Sequence, residues 1–251
     1  MDDNSVHELA LRMGDNCLIL GQGLSAWCGH APALEEDIAL ANIALDLIGQ
    51  TKHWLGLAAD LSSEKKTADD LAFLRDVREF KNCLLVEQSN GDYGNTLMRQ
   101  FLFDAWHYPV LEALVKSSDK RIADIAEKSI KEVTYHLERS TDLVIRLGDG
   151  SAESNKRMQG ALNRLWRYTG ELTEPDSIDD ALADSGVAPD LGEIRKKHTQ
   201  YLAAALREAM LTIPDGEQMQ SGGKRGLHTE GFGYLLGEMQ VLQRSNPGAK
   251  W

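Results

Sequence analysis

Apolar positions recur at threes and fours over long stretches of this chain, and period-two alternation is almost absent, so the pattern predicts an all-helical protein. The first helix is expected from about Val6 to Trp27, with Leu9, Met13, Cys17, Leu20, Leu24 and Trp27 along one stripe and Gly29, His30 and Pro32 ending it. The second is expected from about Leu34 to Leu61, opening on Glu35, Glu36 and Asp37, acids that suit the positive end of a helix dipole. Its middle, from Ile38 through Leu40, Ile43, Leu45 and Leu47 to Ile48, is apolar nearly all round. Such a helix is either buried on several sides or covered by a partner. The third runs from about Thr96 to Val115, with Leu97, Phe101, Asp104, Tyr108 and Leu111 on one face and a kink expected at Pro109. The fourth runs from about Ile122 to Leu147, with Ile122, Ile125, Ala126, Ser129, Val133, His136, Leu137, Ser140 and Val144 inward, and closes at Gly148 and Gly150.

A charged linker from Ser62 to Asp70 and a short helix or irregular stretch from Leu71 to Val86 join the second and third helices, with a turn at Asn90-Gly91. A crossover of that length suits a ferritin-like four-helix bundle. Further helices are expected at about Ser154 to Glu171, Leu191 to Leu211 and Glu230 to Arg244, the last two separated by Pro214 and the glycines of Gly222-Gly223-Lys224-Arg225-Gly226. The expected architecture is therefore all-α: a single ferritin-like domain over residues 1–251, with a bundle core at about 6–148 and a helical extension at about 154–251.

Composition narrows the function. With 42% apolar and 26% charged residues the chain is ordinary globular protein. A formal net charge of -12 repels phosphate backbones and anionic lipid surfaces, which speaks against nucleic acid as a partner. Cys17, Cys28 and Cys83 have no CxxC spacing, so neither a disulfide framework nor a thiolate zinc site is suggested. The acidic Met1-Asp2-Asp3-Asn4 opening is followed by no apolar leader, and Asn42 and Asp46 interrupt the apolar stretch of the second helix. A cytoplasmic protein without a membrane span is expected.

The candidate chemistry lies in polar residues on helices that must face one another: Asp15, Asp46, Gln50, Asp104, His107, Glu132 and His136. A buried carboxylate is costly unless protonated, paired or bound to a cation. Ferritin-like di-iron proteins take single Glu ligands from two helices and Glu-x-x-His pairs from two others. Here the corresponding pairs read Leu47-x-x-Gln50 and Val133-x-x-His136, with Asp15 and Asp104 as single carboxylates. That is a di-iron site with half its ligands removed. Two other readings stay open: interior groups neutralised by Lys131, Arg99 or Arg139, and a mononuclear zinc or iron site from Asp104, His107, Glu132 and His136. Gly14, Gly21 and Gly23 lie inside a helical pattern and form no nucleotide fingerprint. The loop Gly222-Gly223-Lys224-Arg225-Gly226-Leu227-His228-Thr229-Glu230 combines glycines, two cations and a helix start. It reads as an anion contact, a docking contact through Lys224, Arg225 and His228, or a solvated loop with a cap at Thr229.

Several strings carry a resemblance that spans essentially the whole chain: residues 11–18 (LRMGDNCL), 27–32 (WCGHAP), 46–50 (DLIGQ), 103–107 (FDAWH), 135–137 (YHL) and 224–230 (KRGLHTE). In these the chain resembles the C-subunit family of bacterial phenylacetyl-CoA epoxidase, also called ring 1,2-phenylacetyl-CoA monooxygenase. The resemblance implies a ferritin-like fold and a structural, non-catalytic role beside a catalytic A subunit that holds the di-iron centre and the CoA thioester, together with the other subunits of the complex. It implies no cofactor in this chain, and epoxidation by a complex that uses oxygen and NADPH-derived electrons in aerobic phenylacetate breakdown. A homodimer of the isolated chain is left open.

Overall fold

A computed structural model describes residues 3–249; Met1 and Asp2 of the acidic opening lie outside them. The architecture is the expected all-α, ferritin-like one, and no strand occurs among the described residues. The helices are α1 (Asp3–Ala26), α2 (Leu34–Leu61), α3 (Ala68–Phe73), α4 (Tyr93–Leu114), α5 (Lys120–Gly148), α6 (Ala152–Leu165), α7 (Ser177–Asp184), α8 (Leu191–Glu208) and α9 (Phe232–Ser245). The chain parts into two compact units that do not follow chain order: residues 1–30, 34–89 and 222–251 form the first, and 31–33 with 90–221 the second. The segment carrying α9 thus belongs with α1 and α2.

In the first unit α1 and α2 pack along each other. Gly14 and Gly21, seven residues apart on α1, make that approach close: a Cβ at Gly14 would stand 2.6 Å from Leu55 Cδ2, and one at Gly21 3.3 Å from Leu47 Cβ. The absence of a side chain is what both positions require. The face of α2 turned to the core carries Leu40, Ile43, Leu47, Trp54 and Leu55, all buried. The opposite face does not follow the expectation of burial on several sides, because Leu34 (71%), Ile38 (52%), Leu45 (66%) and Ile48 (43%) are exposed.

In the second unit the helix buried nearly all round is α4, which packs against α5, α6 and α8. It stays helical through Pro109. Asp92 caps its start by accepting from Asn95 N at 2.9 Å. On α5 a buried stripe of Ile122, Ala126, Ser129, Val133, His136, Ser140 and Val144 follows the helical period, as the sequence pattern predicts, with Ile125 half-buried. The helix expected at 154–171 ends at Leu165 and continues as two 3-10 turns, Trp166–Tyr168 and Gly170–Thr173. Helix α7 is an addition to the expected set. Its eight residues are too few for a periodic signal, and its legible mark is the Asp176/Asp179 capping box.

Candidate functional site

Asp15 is fully buried on α1, and its carboxylate is already engaged. Arg75, from the crossover after α3, donates Nη1 to Oδ2 at 3.0 Å and Nη2 to Oδ1, and the backbone N–H of Lys81 donates to Oδ2 at 2.8 Å. The guanidinium also donates to the Glu79 carbonyl at 3.0 Å and lies 4.2 Å over the Phe80 ring. Next to it, Asn16 accepts from Cys83 N at 2.8 Å. This bidentate ion pair and its neighbour pin the crossover to α1. The neutralising charge is thus not Lys131, Arg99 or Arg139 but Arg75, an arginine in a segment without periodicity and hence without a sequence signal.

Leu47 and Gln50 belong to the same unit and are buried on α2. Leu47 offers only hydrocarbon, and Gln50 Oε1 accepts weakly from Cys17 Sγ at 3.8 Å. A di-iron site needs anionic oxygen or imidazole donors. Asp15, with both oxygens held by Arg75 and Lys81, and Leu47 and Gln50, without either donor type, do not fit one.

The polar cluster of the second unit is built differently. Asp104, fully buried on α4, accepts from Gln100 Nε2 at 2.7 Å and from Ser140 Oγ at 2.8 Å. Burial raises its pKa to about 6, against the opposing pull of His136 and of these two hydrogen bonds. His107, one turn on, is fully buried, its ring 4.9 Å from Phe103 and stacked on Trp106 at 6.0 Å. Neither of its ring nitrogens has a hydrogen-bond partner among the described residues. Burial, then the charge of His136, pushes its pKa down to about 3. Val133 and His136 are buried on α5, whereas Glu132 is half-exposed.

The mononuclear site expected from Asp104, His107, Glu132 and His136 is not assembled: among the described residues no three His, Cys, Asp or Glu side chains gather as metal ligands. The reason is directional. Asp104 is turned to Gln100 and Ser140, and the His107 ring is held among aromatic rings.

The glycine-rich C-terminal loop also departs from its expectation. His228 is no partner or anion contact, since its side chain is buried against Glu87, with Nδ1 2.7 Å from Oε2 and Nε2 3.1 Å from the Phe80 carbonyl. Thr229 is not a helix cap; its N–H donates to Glu87 Oε1 at 2.6 Å, and α9 starts after Gly231. A Cβ at Gly223 would overlap the Asn82 carbonyl, and one at Gly226, which has φ 74°, the Arg78 carbonyl. The loop is therefore packed backbone against backbone on residues 78–83 rather than solvated. Arg225 is exposed and Lys224 half-buried. Glu87, the acceptor that organises this corner and also takes Asn82 Nδ2 at 2.9 Å, has no sequence signal, because a lone Glu carries no pattern.

No helix among the described residues is long and apolar enough to cross a membrane. The chain is 48% identical, over 248 residues, to the C subunit of 1,2-phenylacetyl-CoA epoxidase from Escherichia coli (strain K12), an alignment covering 99% of this chain and 100% of that protein. The family model described as phenylacetic acid catabolic protein matches residues 1–251, and the chain belongs to that family.

Proposed function

We propose that this chain is the non-catalytic, structural subunit of a multicomponent, oxygen- and NADPH-dependent phenylacetyl-CoA epoxidase, and that it stabilises and positions a catalytic subunit holding the di-iron centre. The observation that carries this reading is the state of Asp15: the carboxylate that would have to serve as a ligand is held by a bidentate arginine and a backbone N–H. Buried hydrocarbon at Leu47 and Val133 supports it from both units.

The docking face we assign to the catalytic subunit is the exposed side of α2. Leu34, Ile38, Leu45 and Ile48, with half-exposed Ala41 between them, recur in steps of four and three, the seam on which another helix packs. Covering such a side chain stabilises an assembly by about 1.5–3 kcal/mol each, so the seam is a substantial driving force. The subunit relationship in the name of the E. coli relative supports a catalytic partner as the occupant. The chain itself needs no metal, and its expected location is the cytoplasm.

Co-expression with the catalytic subunit of the same complex tests the reading. The chain alone, given reductase, NADPH and oxygen, is expected to give no turnover, and the catalytic subunit alone to be less soluble or less active. Leu45→Lys with Ile48→Lys is expected to abolish co-purification while leaving the melting temperature of the chain within about 2 °C. Epoxidation by the isolated chain would overturn the assignment; intact co-purification of the double variant would move the interface elsewhere.

A further inference from the structure

Between α8, the two 3-10 turns after α6 and the strap at residues 212–221, all within the second unit, lies a cavity of about 470 Å³. That is the size of small-ligand sites, roughly 300–1,000 Å³. The strap is a built wall: Gln220 N donates to the Arg167 carbonyl at 2.8 Å, and Met219 lies so close over Gly170 that a Cβ there would stand 2.9 Å from its Cγ. Trp166, Leu202 and Met219 supply apolar lining.

Most of the polar lining is already engaged. Arg195 donates to the Thr173 carbonyl at 2.7 Å and to its hydroxyl at 3.3 Å, and Thr169 Oγ1 donates to the Trp166 carbonyl at 2.8 Å. His198 is the exception. It lines the cavity and is only 4% exposed. Its ring donates to the Leu102 carbonyl, and its Nε2 has no hydrogen-bond partner among the described residues. The proton therefore sits on Nδ1, and Nε2 is left as a bare acceptor. Burial pushes the imidazole pKa down to about 4, so at neutral pH the ring stays neutral and in that acceptor form. A buried acceptor without a donor is costly, and an occupant carrying the donor removes the cost.

We propose that this cavity is a binding site for a compact, largely apolar small molecule bearing one hydroxyl or N–H group, which donates to His198 Nε2 while its apolar body rests on Trp166, Leu202 and Met219. An analogue of the same shape without the donor leaves Nε2 unpaired and is rejected.

Phenol and toluene, near-isosteric and differing in the donor, are the probes, titrated into the full chain with calorimetry and with ¹⁵N imidazole resonances as readouts. Phenol is expected to bind saturably and to move the His198 Nε2 signal in the direction of an accepted hydrogen bond, with toluene about tenfold weaker or more. His198→Phe is expected to erase the preference, and Leu202→Trp to block both probes, each checked for native helicity. If His198→Phe does not fold, the Nε2 shift in the native chain and the Leu202→Trp block decide alone. Equal binding of the two probes, no saturable binding of phenol, or crystals soaked in phenol that show only water on Nε2 would overturn the proposal.

Discussion

Asp15 and Asp104 are the same residue type, both fully buried, each on a long helix of its own unit, yet the two units hold them in opposite ways. The first unit supplies a full counter-charge in bidentate geometry together with a backbone N–H. The second supplies an amide and a hydroxyl, with His136 as the nearest opposing influence, and leaves the carboxyl titrating near pH 6. Burial alone therefore does not decide what a carboxylate becomes; the partner does. Asp15 serves as an anchor for the crossover, whereas Asp104 is a group whose charge state changes close to neutrality.

The largest break in that comparison is expected from Arg75→Met. It strands Asp15 as an unpaired buried charge and removes the crossover anchor, for a loss of about 3–5 kcal/mol in urea denaturation. Adding Asp15→Leu is expected to restore a good part of that loss, because the cost lies in the uncompensated charge rather than in the missing bond. A double variant no more stable than Arg75→Met would show that Arg75 acts through its Phe80 and Glu79 contacts instead.

Asp104→Asn is expected to act on pH dependence more than on stability at one pH. A carboxyl whose folded pKa lies above its unfolded value contributes stability that is complete below about pH 4 and is lost as pH rises through about 6. Removing it deletes a falling contribution of about 1.4 kcal/mol per pH unit in that window. Urea midpoints measured from pH 4 to 7 should therefore rise more steeply with pH in the variant than in the native chain. Parallel curves would mean that Asp104 is ionised throughout, as a paired carboxylate would be.

His107→Phe is the smallest of the three changes and sharpens the comparison from the base side. A histidine whose folded pKa is depressed to about 3 costs stability as pH falls below its ordinary value of 6.5. The variant should lose that acid-side decline and at pH 7 be neutral or about 1 kcal/mol more stable, since an apolar ring replaces a buried ring without hydrogen bonds. Destabilisation by more than that at pH 7 would point to a partner for His107 beyond the described residues.

The long helices are legible in the residue pattern. Wherever a stripe runs for several turns its boundaries fall within a few residues of the observed ones, because periodic burial is written locally along the chain, and α2 spans Leu34 to Leu61 as its pattern predicts. The buried polar residues are legible in the same way, since Asp15, Gln50, Asp104, His107 and His136 all lie on buried faces. The partner that each one meets is set by the fold. Arg75 reaches Asp15 across 60 residues, and His228 reaches Glu87 across 141. The fold also turns the loop at 222–230 inward, leaves Ile38, Leu45 and Ile48 outside, and puts His198 at a cavity behind the strap. Periodicity reports which face of a helix is buried, but a hydrogen bond or ion pair between distant segments depends on how the chain returns on itself, and no local pattern encodes that.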